Sequence, residues 1–257
     1  MAYAKQGTGK PLVFLHGVGA THRLWSLQQT SFRDAYTTIA PDLRGHGESV
    51  APPETISIEN WADDVAAVLD DLRLGPGNIC GLSLGGIVAL ELWRRRPELV
   101  STLILADTWA SHPQAVAGLP ARLDAIATTP LFDLARARVP ALFGGKPDPA
   151  LVDEVIRMIA ANDPVAYHRA NEVLWVADMR DVAPTVAVPT LVVVGAQDSV
   201  TPPGLSEELT QLIPGATLAV IPDVGHLCNL EAPDEFNAVV GRFLAGSTQG
   251  RERSSPS

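Results

Sequence analysis

The stretch Asn78-Ile79-Cys80-Gly81-Leu82-Ser83-Leu84-Gly85-Gly86-Ile87-Val88-Ala89-Leu90-Glu91-Leu92 decides the reading of this chain. An apolar run enters Gly81-Leu82-Ser83-Leu84-Gly85, and an apolar stretch of helix formers leaves it. A strand that turns directly into a helix through G-x-S-x-G makes a sharp elbow that lifts the central serine above the sheet edge. The turn strains the backbone at the serine, and Gly81 and Gly85 leave clearance that a side chain on either flank would block. The helix that starts here offers free N–H groups and a positive dipole end, which suit a developing oxyanion. Ser83 is therefore the candidate nucleophile, and the Leu84 N–H a candidate oxyanion donor. A Gly/Ser turn with a purely structural purpose competes as the reading of the pentapeptide taken alone.

Around the elbow, apolar runs at 11–15, 37–40, 78–80, 102–106, 190–194 and 217–221 read as buried strands, which implies a sheet covered on both faces. Helical periodicity fills the gaps: Trp61, Val65, Val68, Leu69 and Leu72 share one face, as do Phe236, Val239, Val240, Phe243 and Leu244. This alternation predicts an α/β fold with a mostly parallel central sheet flanked by helices. Between residues 110 and 185 the strands stop, while helical patterns such as Leu151, Val155, Ile156 and Ile159 continue. Pro113, Pro120, Pro130, Pro140, Pro147 and Pro149 divide this region into short helices joined by turns. The expected organisation is a core of 1–109 and 186–245, a helical cap over 110–185, and a disordered tail over 246–257, where almost nothing is available to bury.

Composition narrows the function classes. The 257 residues carry 19 Lys and Arg against 29 Asp and Glu, a formal net charge of -10, which opposes binding to nucleic acid. Hydrophobic residues at 46% and charged residues at 19% describe a chain that folds in water, with no apolar run long enough for a membrane span. Residues 1–10 lack a basic region followed by an apolar stretch, so a cytoplasmic protein is expected. Cys80 and Cys228 show neither CxxC nor Cys/His ligand spacing, so no metal site is expected, and Cys228 reads as a small buried hydrophobe.

A serine hydroxyl needs a histidine base and an acid that fixes the histidine tautomer. His226, in Asp223-Val224-Gly225-His226, follows the last apolar strand, where a loop reaches the carboxyl edge of the sheet. Asp198 ends the run Thr190-Leu191-Val192-Val193-Val194-Gly195-Ala196-Gln197-Asp198. A strand-end Asp is often only a turn or capping residue, and the order Ser, Asp, His is what favours Asp198 here. Asp107, also at a strand end, stays open as the alternative acid. The second oxyanion donor is read as the Val18 N–H in His16-Gly17-Val18-Gly19, where His16 fits a loop-shaping hydrogen bond better than a base. His22, His112 and His168 read as solvated residues in turns or in the insertion.

These motifs, together with Asp42-Leu43-Arg44-Gly45-His46-Gly47-Glu48-Ser49, resemble the successive motifs of the α/β-hydrolase superfamily over roughly residues 10–244. The resemblance implies that Arg44 and His46 are scaffold residues and that the insertion is the family's cap. Thr21-His22-Arg23-Leu24-Trp25 and Ala177-Asp178-Met179-Arg180-Asp181 are most similar to the 3-oxoadipate enol-lactonase group. It implies a small-molecule ester or lactone as substrate, hydrolysed without a cofactor through an acyl-enzyme. Gly17, Trp109 and Trp175 are the candidate pocket residues, with core packing as the plainer reading of the tryptophans; no carboxylate clamp is evident. Rivals sharing the elbow are a C–C bond hydrolase of the meta-cleavage type, a cofactor-free perhydrolase, and a ligand receptor with slow or no turnover. A haloalkane dehalogenase is disfavoured because it would place Asp where Ser83 stands.

Overall fold

The computed structural model describes residues 1–253, with side chains to Ser247. Seven strands form one sheet: β1 (Tyr3–Gln6), β2 (Lys10–Leu15), β3 (Tyr36–Pro41), β4 (Gly77–Leu82), β5 (Val100–Ala106), β6 (Thr190–Gly195) and β7 (Thr217–Ile221), in the order β1-β3-β2-β4-β5-β6-β7. All neighbours are parallel except β1 with β3. Sequence reading misses β1 because Tyr3-Ala4-Lys5-Gln6 has no apolar run; the strand is held at the edge by backbone pairing. At the opposite edge, β7 is only partly covered and leaves Val220 exposed, so burial on both faces holds for the inner strands and not for this one.

Strand alternation distributes side chains between two cores. In β2, Val13 and Leu15 enter one cluster while Leu12 and Phe14 enter the other; in β5, Leu103 and Leu105 divide likewise from Ile104 and Ala106. The first cluster is covered by α2 (Ile58–Leu72), α3 (Leu84–Arg95) and α8 (Pro203–Leu212), the second by α1 (Ser26–Phe32) and α10 (Pro233–Arg253). Trp61, Val65 and Leu69 of α2 and Phe236, Val240 and Leu244 of α10 are buried at helical spacing, which is the periodicity legible in the sequence. The expected tail over 246–257 overlaps the last turns of α10, which continue to Arg253, and 254–257 lie outside the described residues. Scarcity of apolar residues argues against burial, not against extending a helix already nucleated by its packed first turns.

Between β5 and β6, in the stretch read from the sequence as the cap, the described chain forms α4 (Pro113–Thr128), α5 (Leu131–Arg138), α6 (Pro149–Ala160) and α7 (Pro164–Leu174). Proline opens α4, α6 and α7 at their first position, where a missing N–H costs nothing. Pro120, expected to mark a break, lies inside α4, which continues across it. A short helix, α9 (Cys228–Glu231), precedes α10.

From β2 the chain steps to β3 on one side, then returns past β2 to β4 and continues outward through β7. The loops after the adjacent strands β2 and β4 therefore leave in opposite directions and open a crevice at the carboxyl edge. Gly85, in the first turn of α3, sits so close to β2 that a Cβ there would lie 2.1 Å from Leu15 O. Gly85→Ala is expected to lower the urea-unfolding free energy by about 1–3 kcal/mol. Gly204→Ala in α8, where a Cβ meets nothing within 4 Å, should change it by less than about 0.5 kcal/mol.

Candidate active site

Ser83 joins β4 to α3 with φ 55° and ψ −114°, a conformation rare for a residue bearing a side chain. Its surroundings fix it from several sides. Ser83 N donates to Ala106 O at 2.9 Å, and the Thr108 hydroxyl donates to Ser83 O at 2.9 Å. A Cβ on Gly81 would stand 2.1 Å from Gly85 O, so the elbow closes this tightly only with glycine at 81. Strain of this kind persists where neighbours over-determine it.

Ser83 lines a cavity of about 690 Å³ between the sheet edge and the cap, together with Gly17, Val18, His226 and Trp175. Much of its wall is apolar, including Leu24, Leu134, Val139, Val155, Met158 and Ile159. A Cβ on Gly17 would lie 3.5 Å from that of Ser83, which brings the loop after β2 against the elbow. Leu84 is the first residue of α3, so its N–H has no carbonyl within the helix to bond. His16, fully buried, shapes this loop: its Nδ1 lies 2.8 Å from Gly17 O, and its Nε2 accepts from Leu43 N at 2.9 Å. Those partners fix a neutral ring with the proton on Nδ1. Burial and the neighbouring His46 push its pKa down to about 3.

His226 Nδ1 is bonded to Asp198 Oδ2 at 2.8 Å. The carboxylate of Asp198 also accepts from Val200 N at 2.8 Å, Thr201 N at 2.9 Å and the Thr201 hydroxyl at 2.6 Å. Burial disfavours charge on both partners. The mutual attraction, with the Thr201 donors on Asp198, outweighs it, so Asp198 lies below the usual carboxylate range and His226 above the usual histidine range. The His226 loop is tied to the cap, since His226 N donates to Leu142 O at 2.7 Å, and Glu231 accepts from both Gly225 N and Gly144 N.

Asp107, the other acid considered, ends β5 with φ 44° and accepts from Gly195 N at 2.9 Å. Beyond that bond, the only donor facing it among the described residues is the weak Cys228 thiol, and burial plus the nearby Asp198 charge raise its pKa to about 7. Asp198, not Asp107, is the carboxylate bonded to the His226 ring. The Cys228 thiol is fully buried beside Asp107, and its own pKa is pushed well up by burial and by that neighbour.

Several residues differ from their sequence reading. Trp109 is fully buried behind the cavity wall, its ring stacked 5.1 Å from that of Trp175 with 1° between planes, so Trp175 takes the cavity face and Trp109 supports it. Spacing cannot order two tryptophans that meet only through the cap. His112 is not solvated: it is buried on the cavity wall, packs edge-on against both tryptophans, and its Nε2 lies 3.0 Å from Val200 O. His22 is bonded through Nδ1 to Asp42 at 2.8 Å and so belongs to the loop scaffold. The sequence reading misses Thr201, although an Asp followed three residues later by Thr at a strand end is a recognisable side-chain turn. Arg122 and Arg138, which line the cavity from the cap, carry no sequence signal at all.

Among the described residues, no three of His, Cys, Asp and Glu are grouped so as to hold a metal ion. No described helix is long and apolar enough to cross a membrane.

Many known proteins are similar to this chain in sequence and fold. The profile of the Alpha/beta hydrolase family matches residues 12–239. A 3-oxoadipate enol-lactonase of Acinetobacter baylyi is 32% identical over 90% of this chain and 89% of its own length. The structure of a thermophilic esterase from Thermogutta terrifontis superposes with a TM-score of 0.88 at 31% identity, covering 96% of this chain and 93% of the other. The enol-lactonase of Burkholderia xenovorans LB400 superposes with a TM-score of 0.88 at 28% identity, covering 95% and 96%. With its elbow, its switch-point crevice and its cap between β5 and β6, the chain belongs to the alpha/beta hydrolase family.

Proposed function

We propose that this chain is a serine hydrolase that cleaves a carboxylic ester or lactone, enol-lactones included, through an acyl-enzyme on Ser83. The observation that carries the reading is the strained Ser83 lining one cavity with His226, whose far nitrogen is held by Asp198 at 2.8 Å. The similarity to enol-lactonases and an esterase supports the substrate class.

In this mechanism His226 Nε2 takes the Ser83 proton as Oγ attacks the carbonyl carbon. Asp198 stabilises the imidazolium that results, and the N–H groups of Val18 and Leu84 bind the tetrahedral oxyanion. Collapse re-forms the carbonyl and breaks the bond between the acyl carbon and the alkoxy oxygen, to which the imidazolium gives its proton. Water, deprotonated by the same ring, then attacks the acyl-enzyme and releases the acid and Ser83. With a lactone the alcohol stays attached to the acyl group, so a single hydroxy acid, or its keto tautomer from an enol, leaves the site. No cofactor enters these steps. The division of the core at 109 and 186 fits the reading, since the cap between them supplies the cavity wall that selects the substrate.

Hydrolysis of p-nitrophenyl esters, simple lactones and an enol-lactone should fall by about 10^4-fold or more in kcat with Ser83→Ala. Equal rates in both proteins would sink the assignment of Ser83. Turnover of a dienoic diketone but no ester would move the chemistry to C–C cleavage, and peracid formed when peroxide is added would mark perhydrolysis. Binding with a single turnover would mark a receptor.

A second expectation concerns pH. His226 must be neutral to accept the proton, so kcat/KM rises as pH climbs through its pKa, which the Asp198 charge holds above the usual histidine range. Asp198→Asn removes that charge, so the rising limb should move to lower pH while kcat drops by about 10^3–10^4-fold. An unmoved limb in the pH–rate profile would show that another group controls it.

A further inference from the structure

The oxyanion reading asks for two N–H groups, and only that of Leu84 has its direction fixed by a helix. The other, on Val18, lies in the loop after β2 on the cavity wall and has no acceptor among the described residues. A turn holds its direction. Ala20 N donates to Gly17 O at 3.1 Å, and Gly19 takes φ 79°, as the third residue of a type II turn requires. Gly17 O also accepts from the neutral His16 ring at 2.8 Å. Carbonyl and N–H of one trans peptide unit point opposite ways, so holding Gly17 O on one side aims Val18 N–H out of the other.

Residues at the end of β2 fix only the near half of this turn, and the helices between β5 and β6 hold the far half. Gly19 O accepts from Asn162 Nδ2 at 2.8 Å. A Cβ on Gly19 would lie 2.8 Å from Tyr167 Cε2 and 3.2 Å from Ile159 Cγ1, and the Val18 side chain packs against Ile126, Leu131, Leu134 and Tyr167. Asn162 is buried in the turn between α6 and α7, and its Nδ2 also donates to Met158 O at 3.1 Å and Ile159 O at 2.9 Å. Three carbonyls around one nitrogen settle the orientation of the amide, since its oxygen in that place would meet acceptors alone. The buried Oδ1 has no hydrogen-bond partner among the described residues. The two bonds to α6 satisfy an ordinary helix end, which water serves as well. A buried amide with one atom unsatisfied is costly, and the bond it makes outside its own helix is the one to Gly19.

We propose that Asn162 is a positioning residue for the oxyanion site: through Gly19 O it holds the turn at 17–20 in the form that points Val18 N–H at the oxygen bound beside Ser83. The oxyanion role rests on the hydrolase reading above; the hold on the turn does not. Gly17 already stands close to the elbow, since a Cβ there would lie 3.5 Å from that of Ser83. A donor displaced by about 1 Å loses most of a preorganised hydrogen bond, and the loss falls on the transition state because the oxygen carries its charge only there. The oxyanion geometry is complete only while the turn between α6 and α7 is seated on the loop after β2.

Asn162→Ser separates positioning from helix capping, because the shorter hydroxyl still reaches the carbonyl four residues back, Met158 O, but not Gly19 O. It should lower kcat for p-nitrophenyl pentanoate by about 10- to 100-fold with KM nearly unchanged, since the oxyanion forms in acylation and deacylation alike. Asn162→Ala should do the same. Asp163→Ala removes the side chain that caps α7 at Val165 N and Ala166 N, and should lower Tm while leaving kcat within about twofold. An unchanged kcat in Asn162→Ser, or a fall of the same size in Asp163→Ala, would overturn the proposal.

Inhibitors read the oxyanion directly. With trifluoromethyl pentyl ketone, Ser83 Oγ adds to the carbonyl carbon, its proton passes to His226 and the ketone oxygen takes the negative charge, with nothing leaving. Methyl pentyl ketone fills the same cavity without adding. Asn162→Ser should raise Ki for the first by about 10- to 100-fold and leave Ki for the second within about twofold. Equal changes in both would reduce Asn162 to packing and sink its oxyanion role. Hydrogen exchange at 17–20 should quicken by about tenfold in Asn162→Ser, with α3 unaffected. Unchanged exchange there, even in an active enzyme, would remove the hold of Asn162 on the turn. A wild type that neither turns over an ester nor takes up the trifluoromethyl ketone would bring down the hydrolase reading and the oxyanion role with it; exchange that still depends on Asn162 would then leave only the hold on the turn standing.

Discussion

A serine held at φ 55° between a strand and a helix is the constraint from which the rest of the site takes its position. The conformation is unfavourable by itself, and the structure maintains it by packing backbone against backbone. Gly81 lies under Gly85 O, Gly85 lies against Leu15 O, and Ser83 is bonded through both its N–H and its carbonyl to the end of β5. Three neighbouring strands therefore define one residue, and the loop after β2 that carries Val18 is brought to the elbow by the same close approach. A crevice at the switch point of the sheet is a general consequence of this winding. The closeness of the approach comes from the glycines.

Electrostatics in the site follows from unequal treatment of two buried acids. Asp198 receives two backbone N–H groups, a hydroxyl and the His226 ring, and its charge is stabilised despite burial. Asp107 receives one backbone N–H and the weak Cys228 thiol, and its pKa is raised to about 7. Two negative charges so close together would repel, so stabilising one disfavours the other. The division of labour between strand-end acids is thus set by the loop at 198–201, which is a matter of donor count and not of residue type.

The cap adds what the sheet does not. Its helices bring Trp175, His112, Arg122 and Arg138 to the cavity from positions far apart in the chain, and Glu231 ties its last loop to the segment that bears His226. Family membership says little about this region, because a cap has only to cover the crevice and can do so with many wall chemistries. On the proposed hydrolase reading, substrate choice belongs to these side chains and the bond-breaking geometry to the sheet.

The sequence by itself determined the elbow, the inner strands, the helices over them and the run of helices between β5 and β6, because each is written in local periodicity or in a short motif whose physics is local. It also ordered Ser83, Asp198 and His226 along the chain at strand ends. Only the tertiary structure decided which carboxylate meets the His226 ring, since Asp107 and Asp198 end adjacent strands and differ in the donors that surround them. It alone found β1, whose pairing with β3 needs no apolar run, set Trp109 behind Trp175, and moved His112 from a solvated turn into the cavity wall. Arg122 and Arg138 lie 16 residues apart on separate helices, and nothing in either neighbourhood marks them. Their place on one cavity wall becomes visible only once the chain has folded, because it depends on how two separate helices pack over the sheet.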